Sequence, residues 1–133
     1  MITVTLPIRT RNALNVREHW AVRSKRSKSE RSAACTVLRT GPVPSDYPLA
    51  VYLTRIAPRR MDEGCGLNAS LKAVRDGVAD FLGVDDGDAR VLWIYGQRKG
   101  EPKQYAVEIV IRTATDEREF PMMKARITGW EAA

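Results

Sequence analysis

The chain has 133 residues, 44% apolar and 29% charged, with a formal charge of +6 and an isoelectric point near 9.7. These values are typical of one globular domain, and no apolar run approaches the ~20 residues that span a bilayer. Residues 1–6 lack the charged start and apolar block of a signal peptide, so the sequence predicts a cytoplasmic location. Two cysteines, Cys35 and Cys65, are too few for a disulfide framework. The positive charge favours an acidic partner such as nucleic acid.

The first half of the chain predicts a strand, a helix and a second strand. Residues 2–8 alternate apolar and polar side chains, as in a half-buried strand. Asn15 and Glu18 have the spacing of a capping box, which predicts a helix from there to Leu38. Residues 49–56 are rich in β-branched and aromatic side chains, and Pro58 ends that strand.

A second helix is predicted over residues 67–82, because its apolar side chains recur with the helical period and form one buried face. Gly83 followed by Val84 predicts a left-handed exit from this helix. The same rotation places Lys72 and Asp76 on another face, where they can pair.

Two further strands are predicted, over residues 91–97 and 104–112, and we expect them to form an antiparallel hairpin through the basic loop between them. The order β-α-β-α-β-β predicts an α+β fold in which two helices pack on a mixed four-stranded sheet. We expect a domain over residues 1–113 and a C-terminal tail over residues 114–133.

The middle of the first helix is strongly basic. Residues 23–31 contain five cations and have no apolar stripe, so this part either follows a phosphate backbone or is a solvated helix. His19, which precedes it, is the only histidine, and a lone histidine more often packs or faces solvent than catalyses.

The acidic residues concentrate around the second helix. Seven of the 16 carboxylates lie between Asp62 and Asp88 against two bases, which gives this window a charge of −5 and leaves +11 for the rest of the chain. An acidic island in a basic protein suits a site that holds a divalent metal beside a polyanion. The alternative is a solvated helix followed by an acidic loop.

The island has the residue types that phosphodiester hydrolysis requires. Carboxylate oxygens are the ligands that Mg²⁺ prefers, and the ion would activate water and offset phosphoryl charge. We expect Asp62 and Glu63, which precede the helix, to approach Asp85 and Asp86, which follow it, if the second and third strands are neighbours. Lys72 would then stabilise the same charge without binding the metal.

Several segments resemble the RusA-type Holliday junction resolvases, in particular their phage and prophage branch. The resemblance rests mainly on residues 71–88, with support from residues 15–20, 59–62 and 91–97. It implies a homodimeric, Mg²⁺-dependent endonuclease, with Mn²⁺ as an alternative ion, that cuts branched DNA during recombination and repair. Carried over, the family's helix lysine is Lys72 and its aspartate pair is Asp85 and Asp86, with Asp86 as the better ligand.

The first acidic motif of the family does not carry over cleanly. Counting back from Lys72 places Glu63 at the first acid, Cys65 at the second, and Gly66 where asparagine is expected. A thiol is a poor Mg²⁺ ligand. Either Asp62 and Glu63 supply the missing oxygen, or the site has lost a ligand. Cys65 would otherwise favour zinc or be a small buried residue.

The sequence therefore predicts a structure-selective, metal-dependent endonuclease that resolves Holliday junctions. Its alternatives are a catalytically impaired protein that binds branched DNA with the same fold, and an interaction module that does not bind DNA. The predicted metal ligands are Asp62, Glu63, Asp85 and Asp86, and the predicted catalytic residues are Lys72 and Asp86. The residues predicted to hold the DNA arms are Arg23, Lys25, Arg26, Lys28, Arg59 and Arg60.

Overall fold

A computed structural model describes residues 1–11, 20–61, 65–114 and 126–128 of the chain. The elements are β1 (Ile2–Leu6), α1 (Trp20–Leu38), β2 (Leu49–Ala57), α2 (Cys65–Leu82), β3 (Val91–Lys99), β4 (Ala106–Thr113) and β5 (Arg126–Thr128). The predicted α+β fold of two helices on a mixed sheet of four strands is confirmed, and β5 extends that sheet from the C-terminal tail. The predicted cap at Asn15 and Glu18, His19, and the acids Asp62 and Glu63 lie outside the described residues.

The sheet has the order β1-β4-β2-β3-β5, with β2 at its centre. Eight of the nine residues of β2 are buried, as expected for a strand with neighbours on both edges. β2 pairs in parallel with β3 and antiparallel with β4, while β1 is antiparallel to β4. Helix α2 therefore connects two neighbouring parallel strands, which is the βαβ arrangement.

The predicted hairpin of the last two long strands is wrong. β3 and β4 do not pair, because β2 lies between them and pairs with both. Their connection crosses the end of β2, where the Gly100 amide donates to the Ala57 carbonyl at 2.9 Å. The buried central strand β2 therefore pairs with both β3 and β4, the two strands that a local hairpin would have paired with each other.

The core lies between one face of the sheet and the two helices. Four residues of the α2 stripe, Leu67, Leu71, Val74 and Val78, have no exposed surface. They pack with strand residues that include Leu53 and Ile109. The α2 stripe predicted from helical periodicity is therefore the face that anchors the helix to the sheet.

Helix α1 packs beside α2 rather than deep in the core. Its buried residues, Ala34, Cys35 and Leu38, all lie in its C-terminal half. At Gly77 of α2 the helices approach so closely that a Cβ would lie 2.3 Å from the Arg31 carbonyl oxygen. No helix in the described ranges combines the length and the apolarity needed to cross a membrane.

Candidate functional site

The candidate site begins where α2 ends. Gly83 adopts the left-handed conformation at φ 71°, and the Val84 amide donates to the Ala79 carbonyl at 3.1 Å. This is the predicted glycine exit with its six-residue hydrogen bond. Since the chain reverses here, residues 84–88 return along α2 and bring Asp86 beside the middle of that helix.

The backbone of Asp86 is held by two side chains from different elements. The Arg75 guanidinium donates from Nη2 to the Asp86 carbonyl at 2.6 Å, and the Trp93 indole Nε1 donates to the same oxygen at 3.0 Å. Arg75 also donates from Nη1 to the Tyr95 hydroxyl oxygen at 2.6 Å and lies 4.7 Å from the Trp93 ring centre. A half-buried planar cation with two fixed acceptors is a rigid support. The position of Asp86 is therefore set by α2 and β3 together.

The side chain of Asp86 faces Lys72. Lys72 Nζ lies 3.4 Å from Asp86 Oδ2 and 3.1 Å from Asp76 Oδ1. The hydrogen bond to Asp76, followed by contacts with Asp86, raises the pKa of Lys72 above its ordinary value. The neighbouring Asp85 side chain, which can donate a hydrogen bond only while it is protonated, and the pairing with Lys72 lower the pKa of Asp86. Lys72 is thus a cation and Asp86 an anion at neutral pH.

These side chains open onto a shallow groove along α2. The groove has a volume of about 290 Å³, and the residues that line it include Asn68, Lys72, Asp86 and Tyr95. The side chains of Lys72 and Asp86 remain 63% and 38% exposed. A solvent-accessible carboxylate beside a lysine is available to an external ligand, unlike a buried structural ion pair.

The predicted acids Asp62 and Glu63 lie outside the described residues, but the residue before them is anchored near the groove. The Met61 amide donates to the Gln97 side-chain oxygen at 2.9 Å, and Gln97 Nε2 donates back to the Met61 carbonyl at 2.8 Å. Gln97 is fully buried and lies two positions after Tyr95 on β3. Met61 is therefore held in a fixed position by β3, at a residue two positions beyond Tyr95 of the groove.

Two carboxylates of the described residues could serve as Mg²⁺ ligands. Asp85 and Asp86 provide carboxylate oxygens, which suit this hard ion, and the low pKa of Asp86 keeps it in its ligating form. Among the residues that the structure describes, no group of three or more acidic, histidine or cysteine side chains gathers around one point. The described donors are hard oxygen ligands and so suit Mg²⁺. A complete ligand set would also need Asp62 or Glu63, which precede α2 in the sequence.

The predicted DNA-binding residues fall into two groups. Arg23, Lys25, Arg26 and Lys28 lie on the N-terminal half of α1, where Lys25 and Lys28 are exposed and the two arginines are half-buried. Arg59 and Arg60 are exposed in the connection from β2 to α2. The buried Arg55 side chain holds that connection, since it donates to the Arg59 carbonyl at 2.9 Å.

Sequence reasoning missed Arg75 and Trp93, which hold Asp86, and Tyr95, which holds Arg75. Arg75 follows Lys72 by three positions and so shares its side of α2, which was an available signal. Trp93 and Tyr95 are two positions apart, so both lie on the helix-facing side of β3 and have the pattern of ordinary core residues. Their role depends on contacts with a loop that only the folded chain brings near.

Comparison with known proteins leaves the family open. No protein-family model matches this chain. The chain is 32% identical over 93 residues to a protein of Xylella fastidiosa (strain Temecula1 / ATCC 700964) described only as uncharacterized. The match covers 65% of this chain and 61% of that protein, so the chain spans less than two thirds of its relative.

Proposed function

We propose that this protein is a structure-selective, metal-dependent DNA endonuclease that resolves Holliday junctions, the activity implied by its resemblance to RusA-type resolvases. The observation that carries the proposal is the contact between Lys72 Nζ and Asp86 Oδ2 at 3.4 Å in an exposed groove. The rest of the chain is basic, so a polyanion is attracted to the same molecule that carries these acids.

The acids and the lysine have separate roles in this proposal. Asp86 and Asp85, with Asp62 or Glu63, would hold Mg²⁺, which when bound activates water and offsets phosphoryl charge. Lys72 has three N–H donors, and its two carboxylate partners leave one for an oxygen of the scissile phosphate. Because Asp76 and Asp86 orient the ammonium group, it meets the phosphate without losing further side-chain freedom.

A four-way junction has two-fold symmetry, so paired cuts require two sites related by a two-fold axis. We therefore propose a homodimer, in which each protomer cuts one strand. Sedimentation velocity should show a dimer at working concentrations, and a monomer both with and without junction DNA would contradict the proposal.

Cleavage of a synthetic four-way junction in Mg²⁺ or Mn²⁺ tests the proposed function. We expect the wild type to cut, and Asp86→Asn to lose at least about 100-fold in rate, the scale expected for a group that stabilises transition-state charge. Asp46→Asn is the matched control, because Asp46 is exposed in the loop between α1 and β2, and it should cut like the wild type.

The decisive comparison is between binding and cutting. Asp86→Asn should bind the junction at least as well as the wild type, since it removes a negative charge near the DNA. A wild type that binds the junction and does not cut it under any divalent ion would contradict the nuclease proposal.

That result would favour the second candidate, a branched-DNA-binding protein of the same fold with impaired catalysis. Its motivation is the start of α2, where Cys65 and Gly66 stand in place of the aspartate and asparagine of the RusA-type motif. If one ligand is missing, Cys65→Asp should restore Mg²⁺-dependent cutting. No gain from this substitution would mean that more than one part of the site has been lost.

A further inference from the structure

A second groove lies on the other side of Lys72, between α1 and α2. It has a volume of about 200 Å³, and its α1 wall includes Ser24, Ser27, Lys28 and Arg31. Its α2 wall includes Ala69, Lys72 and Asp76. Because Ala69 and Lys72 also line the groove that contains Asp86, the two grooves meet along one ridge of α2.

The α1 wall presents the chemistry that binds a phosphate. Ser24, Ser27, Lys28 and Arg31 are spaced three and four residues apart, so they lie on one side of the helix. Five bases and two acids border the groove, which gives it a formal charge of +3. Hydroxyl donors beside cations are the usual partners of phosphate oxygens in a nucleic-acid backbone.

The cations of this groove differ in how they are engaged. Arg31 is fixed by Asp80, to which it donates from Nε at 2.6 Å and from Nη2 at 2.8 Å. Lys28 is exposed and forms no ion pair with any residue in the described ranges. Arg31 therefore forms a rigid part of the wall, while the Lys28 ammonium is available to a ligand.

We propose that the groove between α1 and α2 binds a phosphate of the DNA strand next to the phosphate that meets Lys72 and Asp86. The inference rests on the proposed nuclease function. It predicts that the cut strand crosses α2 at Lys72 and continues towards Ser27 and Lys28. The groove is the size of a single sugar–phosphate unit rather than of a duplex. It therefore has room for one phosphate at a time, and that contact would set which phosphate reaches Asp86.

Two substitutions that make the same change of charge test this site. Binding of a four-way junction is measured over a range of salt concentrations with EDTA present, so that no cutting occurs. Lys28→Gln should weaken binding about five-fold and lower the salt dependence by about one phosphate contact. Lys99→Gln makes the same charge change at an exposed position at the end of β3, outside the groove, and should weaken binding less. Equal effects of the two variants would overturn the proposal, because they would indicate a diffuse charge effect.

A pair of uncharged substitutions separates the groove from net charge. Ser27→Ala removes a hydroxyl from the wall and should weaken binding two- to three-fold, while Ser29→Ala, on an exposed position outside the groove, should match the wild type. If the wild type cuts junctions and neither Lys28→Gln nor Ser27→Ala alters binding, the proposed phosphate site in this groove is wrong and the nuclease proposal stands. If the wild type neither binds nor cuts branched DNA, both proposals fail.

Discussion

The two helices of this protein have similar lengths and very different relations to the core. Helix α2 has a continuous apolar stripe with no exposed surface at Leu67, Leu71, Val74 and Val78. Helix α1 has buried residues only in its C-terminal half, and Val22 near its start is 56% exposed. α2 is thus held by hydrophobic burial along its length, whereas α1 is held at one end.

The difference indicates a division of roles. A helix that is anchored throughout can position side chains accurately, and α2 carries Lys72 and Arg75 on its remaining surface. The polar N-terminal half of α1 exposes cations and hydroxyl groups that the fold does not need for its own stability. In the proposed function, α2 therefore carries the chemistry and α1 binds the ligand.

The largest expected effect is on stability at the α2 stripe. Leu71→Ala leaves a cavity under a fully buried side chain and should lower the free energy of unfolding by about 2–5 kcal/mol. On α1, Val22→Ala should change it by less than about 0.5 kcal/mol because Val22 is largely exposed. Urea denaturation measures both, and similar losses for the two variants would remove the contrast between the helices.

The next effect concerns the point where the helices touch. In Gly77→Ala, the new Cβ would lie 2.3 Å from the Arg31 carbonyl oxygen and 2.8 Å from Ala34 Cβ, so α1 must shift. We expect a loss of about 1–3 kcal/mol from this overpacking, despite the better helix propensity of alanine.

Gly41→Ala is the control for this prediction, since no atom lies within 4 Å of the added Cβ. It should unfold at the same urea concentration as the wild type. A Gly77→Ala protein of unchanged stability would mean that α1 adapts freely, and the α1–α2 groove would then have no fixed shape.

The smallest effect is on the positioning of Asp86. Trp93→Phe keeps the ring and removes the Nε1 donor that holds the Asp86 carbonyl at 3.0 Å. Loss of one hydrogen bond of about 1 kcal/mol should lower the junction cleavage rate about five-fold. DNA affinity should not change, because the removed group faces the protein.

Trp20→Phe is the matched control, because Trp20 is 75% exposed and lies far along α1 from its packed end. Its cleavage rate should equal that of the wild type. If Trp93→Phe instead lowers affinity and leaves the rate unchanged, the Asp86 loop binds DNA rather than serving catalysis.

Much of the local structure was predictable because it depends on short-range rules. The apolar spacing of α2, the Gly83 exit and the Lys72–Asp76 pair at 3.1 Å all follow from the helical period and backbone sterics. The sequence also singled out Asp86 beside Lys72, since both belong to the segment with the strongest family resemblance. For the middle of α1, the lack of an apolar stripe over residues 23–31 agrees with the structure, in which none of these residues is fully buried.

The strand order was not predictable in the same way. Nearness in the sequence favours a hairpin of β3 with β4, yet β2 pairs with both of them. Strand pairing depends on which apolar faces can be buried together across the whole sheet, and no local pattern encodes that choice. The pairing of Arg126–Thr128 with β3 is another long-range contact of this kind.

The sequence alone determined the helical periods, the glycine turn and the separation of an acidic island from a basic remainder, because each depends on residues a few positions apart. Only the tertiary structure decided that Arg75 and Trp93 hold the Asp86 carbonyl and that Lys72 lies between two grooves. Those contacts join α2 to β3 and α1, and their geometry exists only once the sheet has placed these elements side by side.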